Sequence, residues 1–467
     1  MYNGILECAC IKSKQQIPNN SYKPTSIILS KMIKIHTIGG YDEVGKNMSA
    51  VEVDGEIIIL DMGLHLDPYI KVQEKESDKY ITKEMLMKAG AIPDDSLLEK
   101  KKVVAIIPSH AHLDHIGAIP YLEAEYNAPI ICTSFAKEVL QKISQDKNIK
   151  LKNKITILEE GKQYKTKNTT IEFIPVTHSV IQTVIVAITT KYGTVLYAND
   201  FKIDLTPTYG EKTNLNKLSS YKNLALICDC IKAGIDEATP SEVVAKNMLE
   251  DLFETHDFSN RAIIISTFSS HIARLQTIMA CAKKINRKIL FLGRSLAKYV
   301  EAAVLTEDAT AFQDVEMLKY GDQIRKQLNR IQEKKHEYVI VATGHQGEPN
   351  AVLTKIAANQ LPLRLMPNDV VIFSSTVIPN EENIKNRSLL EEQLERRNVT
   401  IFRDIHVSGH AARKDLKAFI EKIKPTHIIP AHGPYEMQKN MISIGKELSY
   451  GDEFLHCSKN GASIELE

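Results

Sequence analysis

Directly after the apolar run Val103–Ile107 the chain reads S-H-A-H-L-D-H over residues 109–115, which places three histidines and one carboxylate in a single turn. At the carboxyl end of a strand the backbone turns sharply, so His110 and His112 can aim at one cation while Asp114 and His115 aim at a second beside it. Surface loops do gather such residues by chance, but this chain has only 15 histidines in 467 residues, too few to bring three together that way. The motif alone points to a dinuclear metallohydrolase.

Three further residues stand at the ends of strand-like runs: His178 after 173–176, Asp200 after 195–197 and His432 after 428–430. Each alone is an ordinary turn residue, and their shared placement is what matters. The reading assigns His110, His112 and His178 to one metal, Asp114, His115 and His432 to the other, and Asp200 to the bridge between them. A set of nitrogen and oxygen donors without thiolate suits two Zn²⁺, with Mn²⁺ nearly as suitable. Ions about 3.5–4 Å apart lower the pKa of water and hold the oxygens of an in-line displacement at phosphorus, so the nucleophile is hydroxide and not a side chain. Asp61, ending the strand-like run before Met62 and Gly63, is expected to orient the metal loop from behind the ligands rather than bind metal itself. In the run 224–230, alternation puts Asp229 on the face opposite Cys228 and Cys230, so the thiols read as core and Asp229 as a functional candidate.

Lys plus Arg number 59 against 58 Asp plus Glu, a net charge of +1, so a polyanion must be held by a local groove. The hydrophobic fraction of 43% supplies real cores, and the length suggests about three domains, or two with one interrupted. Seven cysteines without a C-x-x-C pair read as the thiols of a reduced, cytoplasmic protein. No stretch approaches the roughly 20 apolar residues of a membrane span, and the N-terminus lacks a signal-peptide core. Residues 1–31 read as a flexible arm, with Met32 as an alternative start.

From 33 to 61 the runs 33–38, 49–53 and 56–60 are separated by glycines and read as strands joined by tight turns. Residues 67–102 are charged and read as a loop-like excursion. Next come the strand at 103–107, the metal loop, a helix over 116–126, a strand at 129–132, a helix from Phe135, and strands near 171–175, 183–189 and 194–197. Beyond Asp229 the strand-like runs 262–265, 288–292, 338–341 and 369–373 alternate with helical stretches at 241–254, 272–284, 297–305 and 350–358, the rhythm of parallel βαβ units. Residues 311–337 read as a charged helical face or lid. Runs at 400–404 and 426–429 and a helix after Pro434 return to the earlier style, as if the first unit resumes.

With these residues in place, the chain resembles the metallo-β-lactamase-fold nucleases, and the interruption beyond Asp229 resembles the β-CASP insertion of their RNA- and DNA-processing members. Within that group it is similar to the ribonuclease J family, particularly its short archaeal form. The residues that carry the likeness are Gly39-Gly40 with 43–48, T-G-H-Q-G-E-P at 343–349, the run 373–379, S-G-H-A at 408–411 and P-A-H-G at 430–433. The resemblance runs from about Met32 onward. It implies a metallo-β-lactamase αββα sandwich interrupted by a β-CASP domain with a mainly parallel sheet, divided as 1–31 (arm), 32–234 (sandwich, first part), 235–404 (β-CASP) and 405–467 (sandwich, second part).

The resemblance also implies a zinc-dependent ribonuclease, chiefly a 5′–3′ exonuclease on single-stranded RNA with a free 5′-monophosphate end. The family's β-CASP marks fall on Asp229, His410 and His432. His410 is then expected to contact the scissile phosphate and help protonate the leaving oxygen, Asp229 to orient it, and Asp114 to count among the catalytic residues. A 5′-phosphate pocket is expected from Ser374, Ser375, Ser408, Gly409 and Ala411, with Arg294, and less strongly Arg274, Arg413 and Lys414, as basic support. For each of these the ordinary alternative is a tight turn or a solvated surface charge. Phe268 can stack on a base but reads more readily as core. His345 and Ala412 depart from the commoner family pattern along the expected RNA channel. The extra C-terminal domain of bacterial forms is not matched, which removes one route to oligomerisation, and a homodimer is expected.

An endonuclease of the polyadenylation-factor type is the nearest rival, but its archaeal versions carry N-terminal KH modules, and the space before Met32 is too short for one. A small-molecule hydrolase of the glyoxalase II type shares the H-x-H-x-D-H loop but gives no reason for the long insertion. A catalytically idle RNA-binding platform is disfavoured by the complete ligand set, since unpaired buried groups are costly.

Overall fold

The computed structural model describes residues 33–76, 80–306, 310–313 and 315–466. The arm 1–31 lies outside the described residues. Two sheets stack face to face. The first has seven strands in the order Ala462–Leu466, Ile33–Gly39, Met48–Val53, Glu56–Leu60, Val103–Ile107, Ile130–Cys132 and Ile155–Ile157. The second has six, in the order His427–Ala431, Asn223–Asp229, Thr194–Ala198, Val184–Thr189, Thr170–Pro175 and Gln163–Lys165.

Period-2 alternation of β-branched residues builds this sandwich. In Glu56–Leu60, Ile58 and Leu60 point inward to meet Phe173, Val186, Tyr197 and Ile227 of the second sheet, while Ile57 and Ile59 point outward under helix Ser134–Lys147. On the far side, Leu226 and Ile428 pack under helices Arg413–Ile423 and Tyr435–Glu447. The layers are therefore helix, sheet, sheet, helix. Within the second sheet, Thr194–Ala198, Asn223–Asp229 and His427–Ala431 run parallel, so their carboxyl ends share one rim.

A third, six-stranded sheet has the order Glu316–Leu318, Lys288–Leu292, Tyr338–Ala342, Ile263–Ser266, Val370–Phe373 and Thr400–Phe402, with every neighbouring pair parallel. Its strands are near-continuous apolar runs because both faces are covered: Ile263 and Ile265 join one cluster and Ile264 the opposite one. This sheet region leans on the sandwich through helix Arg294–Thr306, where Tyr299 meets Phe135 at 6.4 Å between ring centres and Lys298 pairs with Asp146 at 2.7 Å. Among the described residues no helix is long and apolar enough to cross a membrane.

Four stretches depart from the sequence reading, and one is Thr400–Phe402, which forms the edge of the third sheet beside Val370–Phe373 and does not resume the first unit. Residues 67–102 contain helices Leu66–Gln73 and Lys83–Ala89; their charges face outward while Tyr69 and Leu86 enter the core, so charge density masked a helical period. The single helix expected over 116–126 is broken into Leu113–Ile116, Ile119–Leu122 and a 3₁₀ turn, because Pro120 has no N–H to continue the ladder. In 311–337 the expected charged helix is present as Gly321–Ile331 with a solvated face, but its other face buries Ile324, Leu328 and Ile331, and Glu316–Leu318 is a sheet edge, so the stretch is no lid. Helix Glu381–Glu395 and the strands Ile155–Ile157, Gln163–Lys165 and Ala462–Leu466 had no counterpart in that reading.

Arg274 is a structural residue and no RNA contact. It is fully buried, forks onto Glu242 through Nε and Nη2 at 2.6 and 2.9 Å, and donates from Nη1 to Ser374 Oγ at 2.7 Å and to the Ile405 carbonyl at 2.9 Å. Removing one partner of such a pair leaves the other charged and dry. Arg274→Met is expected to lower unfolding free energy by about 3–5 kcal/mol, read by denaturant titration; a change below about 1 kcal/mol would make the pair expendable.

Candidate metal centre

The metal loop is braced from below by Asp61, whose backbone takes the left-handed conformation (φ 61°) just past its strand. Ser109 donates its N–H to Asp61 Oδ1 at 2.6 Å and its hydroxyl to Oδ2 at 2.9 Å. Oδ2 also accepts from the Tyr197 hydroxyl at 2.8 Å and meets His115 Nδ1 at 2.7 Å. Asp61 belongs to none of the convergent ligand groups; it holds the ring of one member. Gly63 lies against the loop so closely that an added Cβ would fall 1.6 Å from the Asp114 carbonyl oxygen.

Two groups of donor atoms converge above this brace, each with all its atoms within 4.8 Å of one another. In the first, His112 Nδ1 lies 3.0 Å from His110 Nε2 and 3.3 Å from His178 Nε2, and Asp200 Oδ2 lies 3.7 and 3.6 Å from His110 and His178 Nε2. In the second, His115 Nε2 is 3.5 Å from Asp114 Oδ2 and 3.3 Å from Asp200 Oδ1, while His432 Nε2 is 3.7 and 3.5 Å from the same two oxygens. Asp200 thus offers one oxygen to each group. All seven residues that the sequence put forward as ligands meet here, from four separate strand ends.

The donor set fits divalent cations. Asp200 is 2% exposed, and its Oδ1 has no hydrogen-bond partner, a costly state for a buried carboxylate unless a cation faces it. Burial holds the imidazoles of His110 and His178 well below their usual range and His112 down to about 4, so each presents a lone pair. Burial also opposes charge on Asp200, yet His432 and His115 hold its carboxyl well below the usual range. His115 goes the other way: burial pulls it down, but Asp200, Asp114 and Asp61 outweigh that and push it well up. A positive charge at this point is what the two carboxylates demand.

A third cluster stands at the rim. His410 Nδ1 lies 2.6 Å from Asp229 Oδ2, and Asp229 Oδ1 accepts from the Ile231 N–H at 2.8 Å. Burial lowers the His410 imidazole, but Asp229 and Asp200 more than reverse this and raise it to about 9. The ring is 5.2 Å from that of His178 and 6.0 Å from that of His432, with 23% of its side chain exposed. Cys228 and Cys230 are buried on the other face of the strand.

The residues expected around a 5′ phosphate are arranged unequally. Ser375 is fully buried with an unpartnered hydroxyl, whereas the Ser374 hydroxyl donates to the Ile405 carbonyl and accepts from Arg274. Ser408 Oγ accepts from the His410 N–H at 3.1 Å. Gly409 gives its carbonyl to His178 Nδ1 at 2.8 Å, and a Cβ there would stand 2.8 Å from that same nitrogen. The Ala411 N–H is taken by the Phe201 carbonyl. Arg294 is exposed at the start of its helix, whereas Arg413 is tied to Glu447, Ser443 and the Ala233 carbonyl. Phe268 is not core: it is half-buried, 4.4 Å from the His345 ring and 5.7 Å from the His406 ring.

Asn47 was missed as an individual residue. Its Oδ1 accepts from His432 Nδ1 at 2.7 Å and its Nδ2 donates to the Asp114 carbonyl at 3.1 Å, linking two chain-distant members of the second group. Its membership in the run 43–48 was the only sequence signal.

Comparison with known proteins accords with this geometry. Residues 41–207 match the metallo-beta-lactamase superfamily, 260–390 the family described as Ribonuclease J, beta-CASP domain, and 397–445 the Zn-dependent metallo-hydrolase RNA specificity domain. Ribonuclease J of Methanocaldococcus jannaschii is 38% identical over 453 residues, spanning 93% of this chain and 99% of the relative. Ribonuclease J of Pyrococcus abyssi is 39% identical over 443 residues, spanning 93% and 97%. A crystal structure of a protein of unknown function from Enterococcus faecalis V583 shares the fold, with a TM-score of 0.64 at 17% identity over 93% of this chain and 100% of that one. Full-length likeness to two archaeal relatives, on a sandwich interrupted by a parallel sheet with its donors gathered at one rim, makes this chain a member of the ribonuclease J family.

Proposed function

We propose that the chain is a metal-dependent ribonuclease that hydrolyses single-stranded RNA chiefly in the 5′–3′ direction from a 5′-monophosphate end, with two zinc ions, or manganese in their place. The observation that carries this reading is Asp200 directing one oxygen into each of two histidine-rich groups beneath the His410–Asp229 pair. His110, His112 and His178 would hold one ion and Asp114, His115 and His432 the other. Such ions supply an activated water and charge stabilisation at phosphorus.

The chain's own side chains do the rest. Asp229 keeps His410 Nδ1 occupied and the imidazole protonated near neutrality, so Nε2 is the atom that hands a proton to the leaving oxygen. Ser375, whose buried hydroxyl is unpartnered, and Ser408, with Gly409 beside His178, are the donors this reading gives to a terminal phosphate, with Arg294 as outlying positive charge. The organisation that goes with this reading is a sandwich of 32–234 and 405–467 interrupted at 235–404, in a cytoplasmic homodimer. The unpaired thiols Cys132, Cys228, Cys230, Cys281 and Cys457 suit a reducing compartment.

Labelled RNA differing only in its 5′ end tests the polarity. Monophosphorylated RNA is expected to fall to mononucleotides without discrete intermediates, and 5′-hydroxyl RNA to be cut at least about tenfold more slowly, the equivalent of one lost charge-assisted contact of about 1.5 kcal/mol. Discrete internal products from a blocked 5′ end would favour the endonuclease instead.

A further inference from the structure

Each imidazole of the two ligand groups has its outer nitrogen held. His110 Nδ1 meets Ser109 Oγ at 3.0 Å, His115 Nδ1 meets Asp61, His178 Nδ1 the Gly409 carbonyl, and His432 Nδ1 Asn47. His112 is turned the other way round. Its Nδ1 faces the ligand group, so Nε2 is the outer atom, and Ser270 Oγ stands 2.9 Å from it. Ser270 is 5% exposed and lies between strand Ile263–Ser266 and helix Ile272–Lys284 of the parallel-sheet region, 158 residues from His112.

The segment around Ser270 is itself rigidly placed. Thr267 Oγ1 donates to the Ser374 carbonyl at 2.8 Å, Ser269 Oγ reaches Ser295 Oγ at 3.1 Å, and Arg274 is locked on Glu242. A second bond from the same region reaches the metal loop, the Tyr299 hydroxyl donating to the Ala111 carbonyl at 3.1 Å. Ala111 and His112 are thus gripped side by side by the parallel-sheet region, whereas the other four imidazoles take their outer partners from the sandwich segments.

We propose that Ser270 is a positioning residue: by accepting the Nε2–H of His112 it fixes that ring's tautomer and plane, so the first cation site is complete only when the parallel-sheet region is seated on the metal loop. The inference rests on the two-metal ribonuclease reading above. A ligand histidine whose outer N–H loses its acceptor can rotate or present the wrong nitrogen, typically weakening metal affinity about 10–100-fold.

Stepwise zinc affinities measured by competition with a chromophoric chelator, on the full chain, test this. Ser270→Ala is expected to weaken one of the two ions about 10–100-fold, leave the other at its wild-type affinity, keep the wild-type melting temperature of the apo protein, and alter the visible absorption of the cobalt-loaded form. Ser270→Thr, which keeps the hydroxyl, is expected to restore both affinity and spectrum. Two wild-type affinities in Ser270→Ala beside a wild type that binds two ions would overturn the inference alone. A wild type that takes up no zinc would overturn both the inference and the reading beneath it.

Discussion

Asp200→Asn is expected to strip both cations and abolish RNA hydrolysis. Among the seven proposed ligands no other substitution should do both, because, of the described residues, Asp200 alone sends an oxygen into each group, Oδ2 toward His110 and His178 and Oδ1 toward His115 and His432. The amide keeps the shape, but it removes the charge and turns an N–H donor toward one group. The loss should exceed the about 10–100-fold seen when an outer contact of a ligand is removed, and it should fall on both ions. Metal content after dialysis against a weak chelator, with turnover on labelled RNA, checks it. A variant retaining either ion at wild-type affinity would remove Asp200 from the bridge. His112→Ala should by contrast affect the first ion more than the second.

His410→Ala is expected to do the reverse: keep both ions and lose about 10²–10⁴ in turnover, the usual contribution of a general acid. His410 sits above the ligand groups on Asp229, whose carboxylate keeps the imidazole charged. Asp229→Asn should follow it in direction, with metal again retained, since Asp229 Oδ2 holds the His410 ring at 2.6 Å. Single-turnover rates beside metal analysis separate the outcomes. A His410→Ala protein that sheds an ion would make His410 a ligand, and one with wild-type turnover would leave proton transfer to another group.

Much of the framework was legible because it depends on local pattern. The strands around 57–60, 103–107 and 226–229 are runs that alternate between two apolar clusters, and an alternating or continuous apolar run can be read without knowing its partner. The misreadings arose where surface charge hid a buried stripe, as in Leu66–Gln73 and in Gly321–Ile331. The short strand Glu316–Leu318 was obscured for a related reason: three residues at a sheet edge carry too little pattern to stand out from charged neighbours.

The site divides along the same line. His110, His112, Asp114 and His115 declare themselves because the members of the convergent donor groups are adjacent in the chain, and the strand ends before His178, Asp200 and His432 mark the remaining members. Local pattern therefore carries the donor chemistry and most of the strands; by itself it reads the first domain as one open mixed sheet with helices on its outer faces, whereas the chain stacks two sheets, as the family resemblance implies. Only the tertiary structure decided how Asp200 splits its oxygens, that Ser374 and Arg274 serve the interior while Ser375 keeps a free hydroxyl, and that Asn47 and Ser270 hold His432 and His112. The physical reason is range: a hydrogen bond is made at about 3 Å between groups that can lie hundreds of residues apart, and its direction exists only once the strands are stacked.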